Sequence, residues 1–102
     1  MARLTITTGD QAGTEFQLKP GTNRIGRSPE NDFHVCDASV SAHHCEVTRS
    51  EMTVWVRDLN STNGTYADGK AVAGDAPQRL EQVLQIGSTV LQLQIDLNGN
   101  GT

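Results

Sequence analysis

The stretch DLNSTNGT, residues 58–65, is the most informative run in this chain. Its Asn-Gly pair follows a β-rich segment and predicts a tight turn, because glycine adopts positive φ freely and asparagine does so more readily than most residues. Five of its eight residues carry a hydroxyl or a carboxamide, which is more than reversing a chain requires. The run therefore indicates either an ordinary hairpin turn or a loop that presents fixed hydrogen-bond donors at the end of a sandwich.

Two upstream segments favour the second interpretation. GRS at 26–28 follows the strand-like TNRI at 22–25, and SAHH at 41–44 opens the strand-like CEVT at 45–48. In order and spacing, the three segments resemble the signature of the forkhead-associated (FHA) domain. That signature is Gly-Arg, then Ser-x-x-His about a dozen or more residues later, then Asp-Leu-x-Ser-x-Asn-Gly-Thr. The resemblance covers roughly residues 3–96 and implies a module that recognises phosphothreonine in partner proteins.

Strand-like runs recur at short spacing with turn residues between them, which is typical of an all-β antiparallel sandwich. The predicted strands lie at about 3–8, 14–18, 22–25, 33–35, 44–48, 53–57, 64–67, 70–72, 83–86 and 88–95. The resemblance implies two twisted sheets of about 10–11 strands, with the first and last strands side by side. Residues 78–83 are compatible with one helical turn. We expect an FHA domain over 1–97 and a flexible tail or the start of a linker over 98–102.

Composition and charge narrow the function further. The length of 102 residues suits one domain, and the low aromatic content of 4% requires a core of Val, Leu and Ile. A net charge of −4 and scattered cations argue against nucleic acid as a partner. No apolar run reaches transmembrane length, and residues 1–7 alternate like a strand and unlike a signal peptide. We expect a cytoplasmic monomer that binds no membrane.

The chain has two cysteines, Cys36 and Cys45, each beside strand residues and without a close Cys-x-x-Cys pair. The spacing permits a disulfide, but we favour two buried free thiols in a reducing compartment.

The resemblance assigns the phosphate ligands. Arg27 matches the arginine that binds the phosphate, and its planar guanidinium suits short charge-assisted bonds. Ser41 matches the second ligand, whose hydroxyl can donate one hydrogen bond. Ser28 and Thr62 are further candidate donors to the phosphate. Asn63 matches the residue that hydrogen-bonds the peptide backbone beside the phosphothreonine.

Other motif residues are expected to support these loops. Gly26 allows the backbone to turn sharply before the arginine. His44 matches a histidine that stabilises the recognition loops by hydrogen bonding. Asp58, Ser61 and Gly64 are expected to hold the third loop in shape.

Ser41, His44 and Asp58 are also the residue types of a hydrolase triad. The sequence lacks the Gly-x-Ser-x-Gly elbow and a glycine-rich oxyanion loop, so we expect a binding module and no enzyme.

A metal site would have to come from neighbouring His and Cys residues. Neighbours in a strand point to opposite faces and do not converge on one ion. We therefore expect no metal and no other cofactor, and we expect His43 to be a surface residue. The candidate metal ligands that this argument rules out are Cys36, His43, His44 and Cys45.

One position departs from the family pattern. Members commonly carry Arg or Asn where this chain has Ala42, which offers neither a charge nor a donor. Two functions therefore stay open: a phosphothreonine-binding module of reduced affinity, and an FHA-fold interaction module that binds its partner independently of phosphate. The size of the module and its Gly/Asn tail also fit a fragment of a longer, multidomain chain.

Overall fold

The computed structural model describes residues 1–96, and over that range the chain forms eleven strands and no helix. The expected tail at 98–102 lies outside the described residues. No helix among the described residues is long and apolar enough to cross a membrane.

The strands follow one another with short connections. They are β1 Ala2–Ile6, β2 Glu15–Gln17, β3 Gly21–Gly26, β4 Phe33–His34, β5 Cys45–Ser50, β6 Thr53–Asp58, β7 Thr65–Ala67, β8 Lys70–Ala71, β9 Gln78–Leu80, β10 Val83–Ile86 and β11 Thr89–Ile95.

The strands form two sheets, which confirms the predicted all-β sandwich. One has six strands in the order β2-β1-β11-β10-β7-β8, and the other has five in the order β4-β3-β5-β6-β9. The first and last long strands, β1 and β11, pair antiparallel with Leu4 opposite Leu93, as expected. All pairs are antiparallel except β3 with β4, which run parallel for two residues.

The core lies between the sheets and follows from the period-two alternation of each strand. In β6, Val54 and Val56 are buried while Trp55 between them is exposed. The buried set is mostly aliphatic, as the low aromatic content requires. Its largest fully buried apolar members are Leu4, Ile6, Ile25, Leu80, Leu84, Ile86 and Leu91.

Residues 78–83 do not form the helical turn considered above. Gln78–Leu80 is strand β9, which pairs antiparallel with β6 so that Leu80 lies opposite Val54. Leu80 is buried at 1% exposure. The burial of this leucine against the edge of the five-stranded sheet outweighs the modest helix propensity of the segment.

The expectation of two buried thiols is half wrong. Both cysteines are free, but Cys36 is exposed and only Cys45 is buried. Val35 points into the core, so its neighbour Cys36 points outward. Burial raises the pKa of the Cys45 thiol far above its usual range, with a further rise from the nearby Asp58 and Glu46 carboxylates, so this thiol is inert.

Candidate functional site

Three connections meet at one end of the sandwich and carry the motif residues. They are the β3–β4 loop (27–32), the β4–β5 loop (35–44) and the β6–β7 loop (59–64). We name them together the three-loop cluster. Backbone bonds join the first two loops, from Arg27 N to Ser41 O at 2.9 Å and from Ser28 N to Ala42 O at 3.1 Å. With the bond from Thr62 N to Ser41 Oγ at 2.9 Å, which joins the third loop, the cluster is a single hydrogen-bonded unit and not three independent turns.

Arg27 is fixed at its inner end and open at its outer end. Its Nε donates to the carbonyl oxygen of Val40 at 2.9 Å, which directs the guanidinium over the β4–β5 loop. The side chain is exposed, and its two Nη groups form no hydrogen bond or ion pair with the residues described. A planar, permanently charged group held in this way is prepared to bind an anion without first losing much side-chain freedom.

Ser41 lies at the centre of the cluster and is half-buried. Its Oγ accepts a hydrogen bond from Thr62 N at 2.9 Å. Because the oxygen already accepts this bond, the hydroxyl proton is available to a ligand. Ser41 thus connects the β4–β5 and β6–β7 loops and still offers one donor beside Arg27.

Gly26 is required by close packing. A Cβ at this position would collide with the carbonyl oxygen of Ala42 and would lie 2.7 Å from Nδ2 of Asn31. The β3 strand therefore passes directly against the backbone of the β4–β5 loop, which brings Arg27 next to Ser41.

Asn31 performs a role that the sequence did not reveal. The side chain is buried at 8% exposure, and its Nδ2 donates to Ser28 O at 2.8 Å and to Ala42 O at 2.7 Å. One amide thus holds the first two loops together. In the sequence Asn31 looks like an ordinary turn residue, and only its burial marks it as structural.

His44 joins the other pair of loops from inside the molecule. It is fully buried. Its Nδ1 accepts from Ser41 N at 3.0 Å, so the ring proton lies on Nε2, which donates to the carbonyl oxygen of Gly64 at 2.8 Å. Both ring nitrogens are used, and neither faces solvent. His43 is exposed and lies near Asn31 and Glu30, as a surface residue.

Asp58 organises the β6–β7 loop. Its carboxylate accepts hydrogen bonds from Ser61 Oγ at 2.5 Å, Ser61 N at 3.0 Å and Thr65 Oγ1 at 2.6 Å. Partial burial opposes ionisation of Asp58, but the hydrogen bonds from Ser61 and Thr65 outweigh it and lower the pKa of the carboxyl. Ser61 Oγ also accepts from Gly64 N at 3.1 Å, and Gly64 has φ of 89°, which favours glycine.

The remaining motif residues lie on the rim of the cluster. Thr62 and Asn63 are exposed, and Ser28 is half-buried. Asn63 Nδ2 donates to Ser39 O at 2.8 Å, which leaves its Oδ1 and second amide hydrogen for a ligand. Ala42 is exposed at the same rim and, as expected from the sequence, contributes no donor from its side chain.

A second network lies behind Ser39 and was not predicted. Asp37 accepts from Ser39 N and Oγ at 2.9 Å each, from Ser88 Oγ at 2.9 Å and from Thr89 Oγ1 at 2.5 Å. The Thr89 hydroxyl, followed by the Ser39 amide, lowers the pKa of Asp37 to about 2 against a weaker opposing effect of burial. The network ties the β4–β5 loop to the β10–β11 turn.

The triad residue types do not form a catalytic relay. His44 Nδ1 faces the amide of Ser41 and not its hydroxyl, and Asp58 is bonded to the β6–β7 loop. Within residues 1–96, no three His, Cys, Asp or Glu side chains lie close enough to hold a metal ion.

Comparison with known proteins assigns the family. A family model described as FHA domain matches residues 23–88. The chain therefore belongs to the FHA domain family, as the three motifs indicated. It is similar to an oxoglutarate dehydrogenase inhibitor of Corynebacterium efficiens, with 36% identity over 89 residues, or 87% of this chain and 58% of the relative. The chain thus spans little more than half of that relative's length.

Solved structures share the architecture. A structure from work on phosphothreonine-dependent FHA domain interactions has a TM-score of 0.81 and 29% identity, and the match covers 93% of this chain and 96% of that one. The FhaA FHA domain complexed with the intracellular domain of Rv3910 has a TM-score of 0.79 and 29% identity, with 92% of this chain and 100% of that one covered.

Proposed function

We propose that this chain binds phosphothreonine-containing segments of partner proteins through the three-loop cluster and acts by binding, without catalysis. The observation that carries the proposal is the pairing of Arg27 with Ser41. The arginine is tethered through Nε and presents its outer nitrogens, and the serine keeps its hydroxyl proton for a ligand. A phosphate has the charge and acceptor oxygens that this pair would bind.

The other rim residues extend the proposed contact. Ser28 follows Arg27 in the chain and Thr62 is hydrogen-bonded to Ser41 through its backbone N–H, so we propose that their hydroxyls also donate to the phosphate. Asn63 would hydrogen-bond the peptide backbone through its Oδ1 and its second amide hydrogen, which the bond to Ser39 O leaves available. The relatives support this use of the site, because one solved neighbour comes from work on phosphothreonine-dependent interactions.

We further propose that the module works in the cytoplasm as a monomer, either alone or within a longer chain. Cys36 and Cys45 are both free thiols, which suits a reducing compartment.

The test is a titration with a degenerate phosphothreonine peptide library and its unphosphorylated counterpart. Arg27→Ala and Ser41→Ala should each weaken phosphopeptide binding by about tenfold or more, because a lost charge-assisted bond costs about 1.5–3 kcal/mol. Lys70→Ala removes an exposed cation from β8 on the other sheet and should bind like wild type. If the folded Arg27→Ala and Ser41→Ala variants bind as tightly as Lys70→Ala, the phosphate site is misplaced.

A phosphate-independent interaction module is the second candidate. The exposed Ala42 favours it, because no donor or charge stands at a rim position beside the proposed phosphate. The same titration separates the two functions. Equal binding of the phosphorylated and unphosphorylated libraries would select the second.

A further inference from the structure

The outward face of the five-stranded sheet carries an exposed tryptophan. Trp55 is 38% exposed on β6, although its neighbours Val54 and Val56 are buried. It lies opposite Thr48 on one side and Arg79 on the other. The solvent-facing side of an antiparallel sheet is normally polar, so an indole in this position leaves apolar area in water that burial would stabilise by about 25 cal/mol per Å².

A groove of about 220 Å³ runs beside this indole. We name it the Trp55 groove, and its lining residues are Thr22, Glu46, Thr48, Trp55, Arg57 and Pro77. Thr22 Oγ1 and Thr48 Oγ1 lie 3.3 Å apart and hydrogen-bond each other, so each hydroxyl already has one hydrogen-bond partner. Pro77 has no N–H to offer. The indole of Trp55 and the ring of Pro77 are therefore the apolar contact surface of a groove whose other lining residues are polar.

An ion-pair cluster at and beside the groove presents arginine side chains to solvent. Glu46 forms ion pairs with Arg57 at 3.0 Å and with Arg24 at 3.4 Å. The Glu46 side chain is only 14% exposed, whereas those of Arg24 and Arg57 are 61% and 48% exposed. The Glu46 carboxylate is thus largely buried, and the two guanidinium groups that share it are the charges that this cluster presents to solvent, on a chain whose net charge is −4. The carboxylate of Asp32 also lies beside Arg24, where it accepts from Arg24 N at 2.8 Å. Arg79 is balanced by Glu81 at 3.9 Å.

We infer that the Trp55 groove docks an acidic segment of a partner protein that contains apolar side chains, independently of phosphate. An apolar side chain covers the indole, and flanking carboxylates meet Arg57 and Arg24. Tryptophan and arginine are the residue types that contribute most at protein interfaces, above all where an apolar centre is ringed by polar groups. The exposed guanidinium groups of Arg24 and Arg57 favour an acidic segment over a basic one.

Trp55 also provides the assay, because it is the single tryptophan of the chain. The probe is a capped nonapeptide, Glu-Glu-Leu-Glu-Glu-Val-Glu-Glu-Leu, which carries no phosphate and no tryptophan. Titration should change the Trp55 emission, and the peptide should bind at least about tenfold more tightly than its all-Gln counterpart at low salt. The difference should narrow as ionic strength rises, since exposed charges are screened over about 8–10 Å near physiological salt.

Three variants locate the peptide. Trp55→Ala and Arg57→Gln should each weaken binding about fivefold or more. Binding to Trp55→Ala is measured by the fluorescence anisotropy of a labelled peptide, because this variant has no tryptophan. In Arg57→Gln, Arg24 remains to pair with Glu46. Lys70→Gln, a change of equal charge on the other sheet, should bind like wild type. Arg57→Gln retains the indole, so its emission serves as the test if Trp55→Ala does not fold.

Four results would overturn the inference. The first is an unchanged Trp55 emission at saturating peptide, and the second is equal binding of the all-Gln peptide. The third is loss of the peptide in Arg27→Ala, which would put it in the three-loop cluster. The fourth is a peptide-free dimer in sedimentation that Trp55→Ala dissociates, which would make a second copy of this chain the occupant.

Discussion

His44→Ala should destabilise the domain and weaken the proposed phosphopeptide binding together. The ring is fully buried and serves two loops at once, accepting from Ser41 N and donating to Gly64 O. Alanine leaves the N–H of Ser41 without its acceptor, and the carbonyl of Gly64 keeps only the longer bond from Gly87 N at 3.3 Å. It also leaves a cavity where the imidazole stood.

The size of the effect follows from these contacts. The N–H of Ser41 left without a partner costs about 1–3 kcal/mol, and the cavity together with the weaker bonding of Gly64 O brings the loss to about 2–4 kcal/mol. For a domain of this length, that loss lowers the melting temperature by roughly 10–20 °C. Binding should weaken as well, because Ser41 and the β6–β7 loop lose the ring that holds them in register.

Urea denaturation, thermal melts and a phosphopeptide titration measure these effects. His43→Ala is the matched control, since it removes the same side chain one residue earlier from an exposed position. It should melt close to wild type. A melting temperature for His44→Ala within about 2 °C of that for His43→Ala would show that the buried imidazole does not support the loops.

Three further outcomes are expected. Ala42→Arg should tighten phosphopeptide binding several-fold, or about 1 kcal/mol. The gain should decrease at high salt and should not occur in the neutral control Ala42→Gln. No gain at low salt would show that residue 42 faces away from the ligand. Asp37 has a native pKa of about 2 against an ordinary 3.8, so its carboxylate stabilises the fold above pH 3.8 and loses that effect as the pH falls toward 2. Asp37→Asn should therefore lower the urea midpoint at pH 5, and its deficit should shrink at pH 2; a constant deficit would contradict this, and Asp75→Asn is the exposed control. Asn63→Ala should weaken the binding of the phosphorylated and the unphosphorylated peptides by the same factor in the same titrations. A loss of affinity confined to the phosphorylated peptide would show that Asn63 contacts the phosphate instead.

The sequence predicted the strands wherever alternation was strong. Leu4 and Ile6 in β1 alternate with polar residues, and so do Leu91 and Leu93 in β11, because one face of each strand is buried. The segment at 78–80 has no such pattern. Its strand state depends on pairing with β6, more than 20 residues away, and local propensity carries no information about a partner at that distance.

The motifs likewise located the candidate site but not all of its supports. Gly26, His44 and Asp58 are recognisable because they belong to fixed local patterns. Asp37 cannot be recognised from the sequence as a support, since its hydrogen bond to Ser88 joins residues 51 positions apart. Asn31 cannot be recognised either, because its burial follows from the close approach of two loops. When two residues come into contact only because the sandwich has folded, the sequence around each of them carries no pattern that predicts the contact.

The polar richness of residues 58–65 also has a different meaning in the structure than in the sequence. Ser61 and Thr65 bond to Asp58, and one amide hydrogen of Asn63 bonds to Ser39. Most of the side chains that looked like donors for a ligand thus hold the loop itself. Their internal bonds keep Thr62 N in place to donate to Ser41, and this bond leaves the serine hydroxyl as a donor. Because few donors then remain, each one should matter to binding, and Ala42 is the rim position where one more donor could be gained.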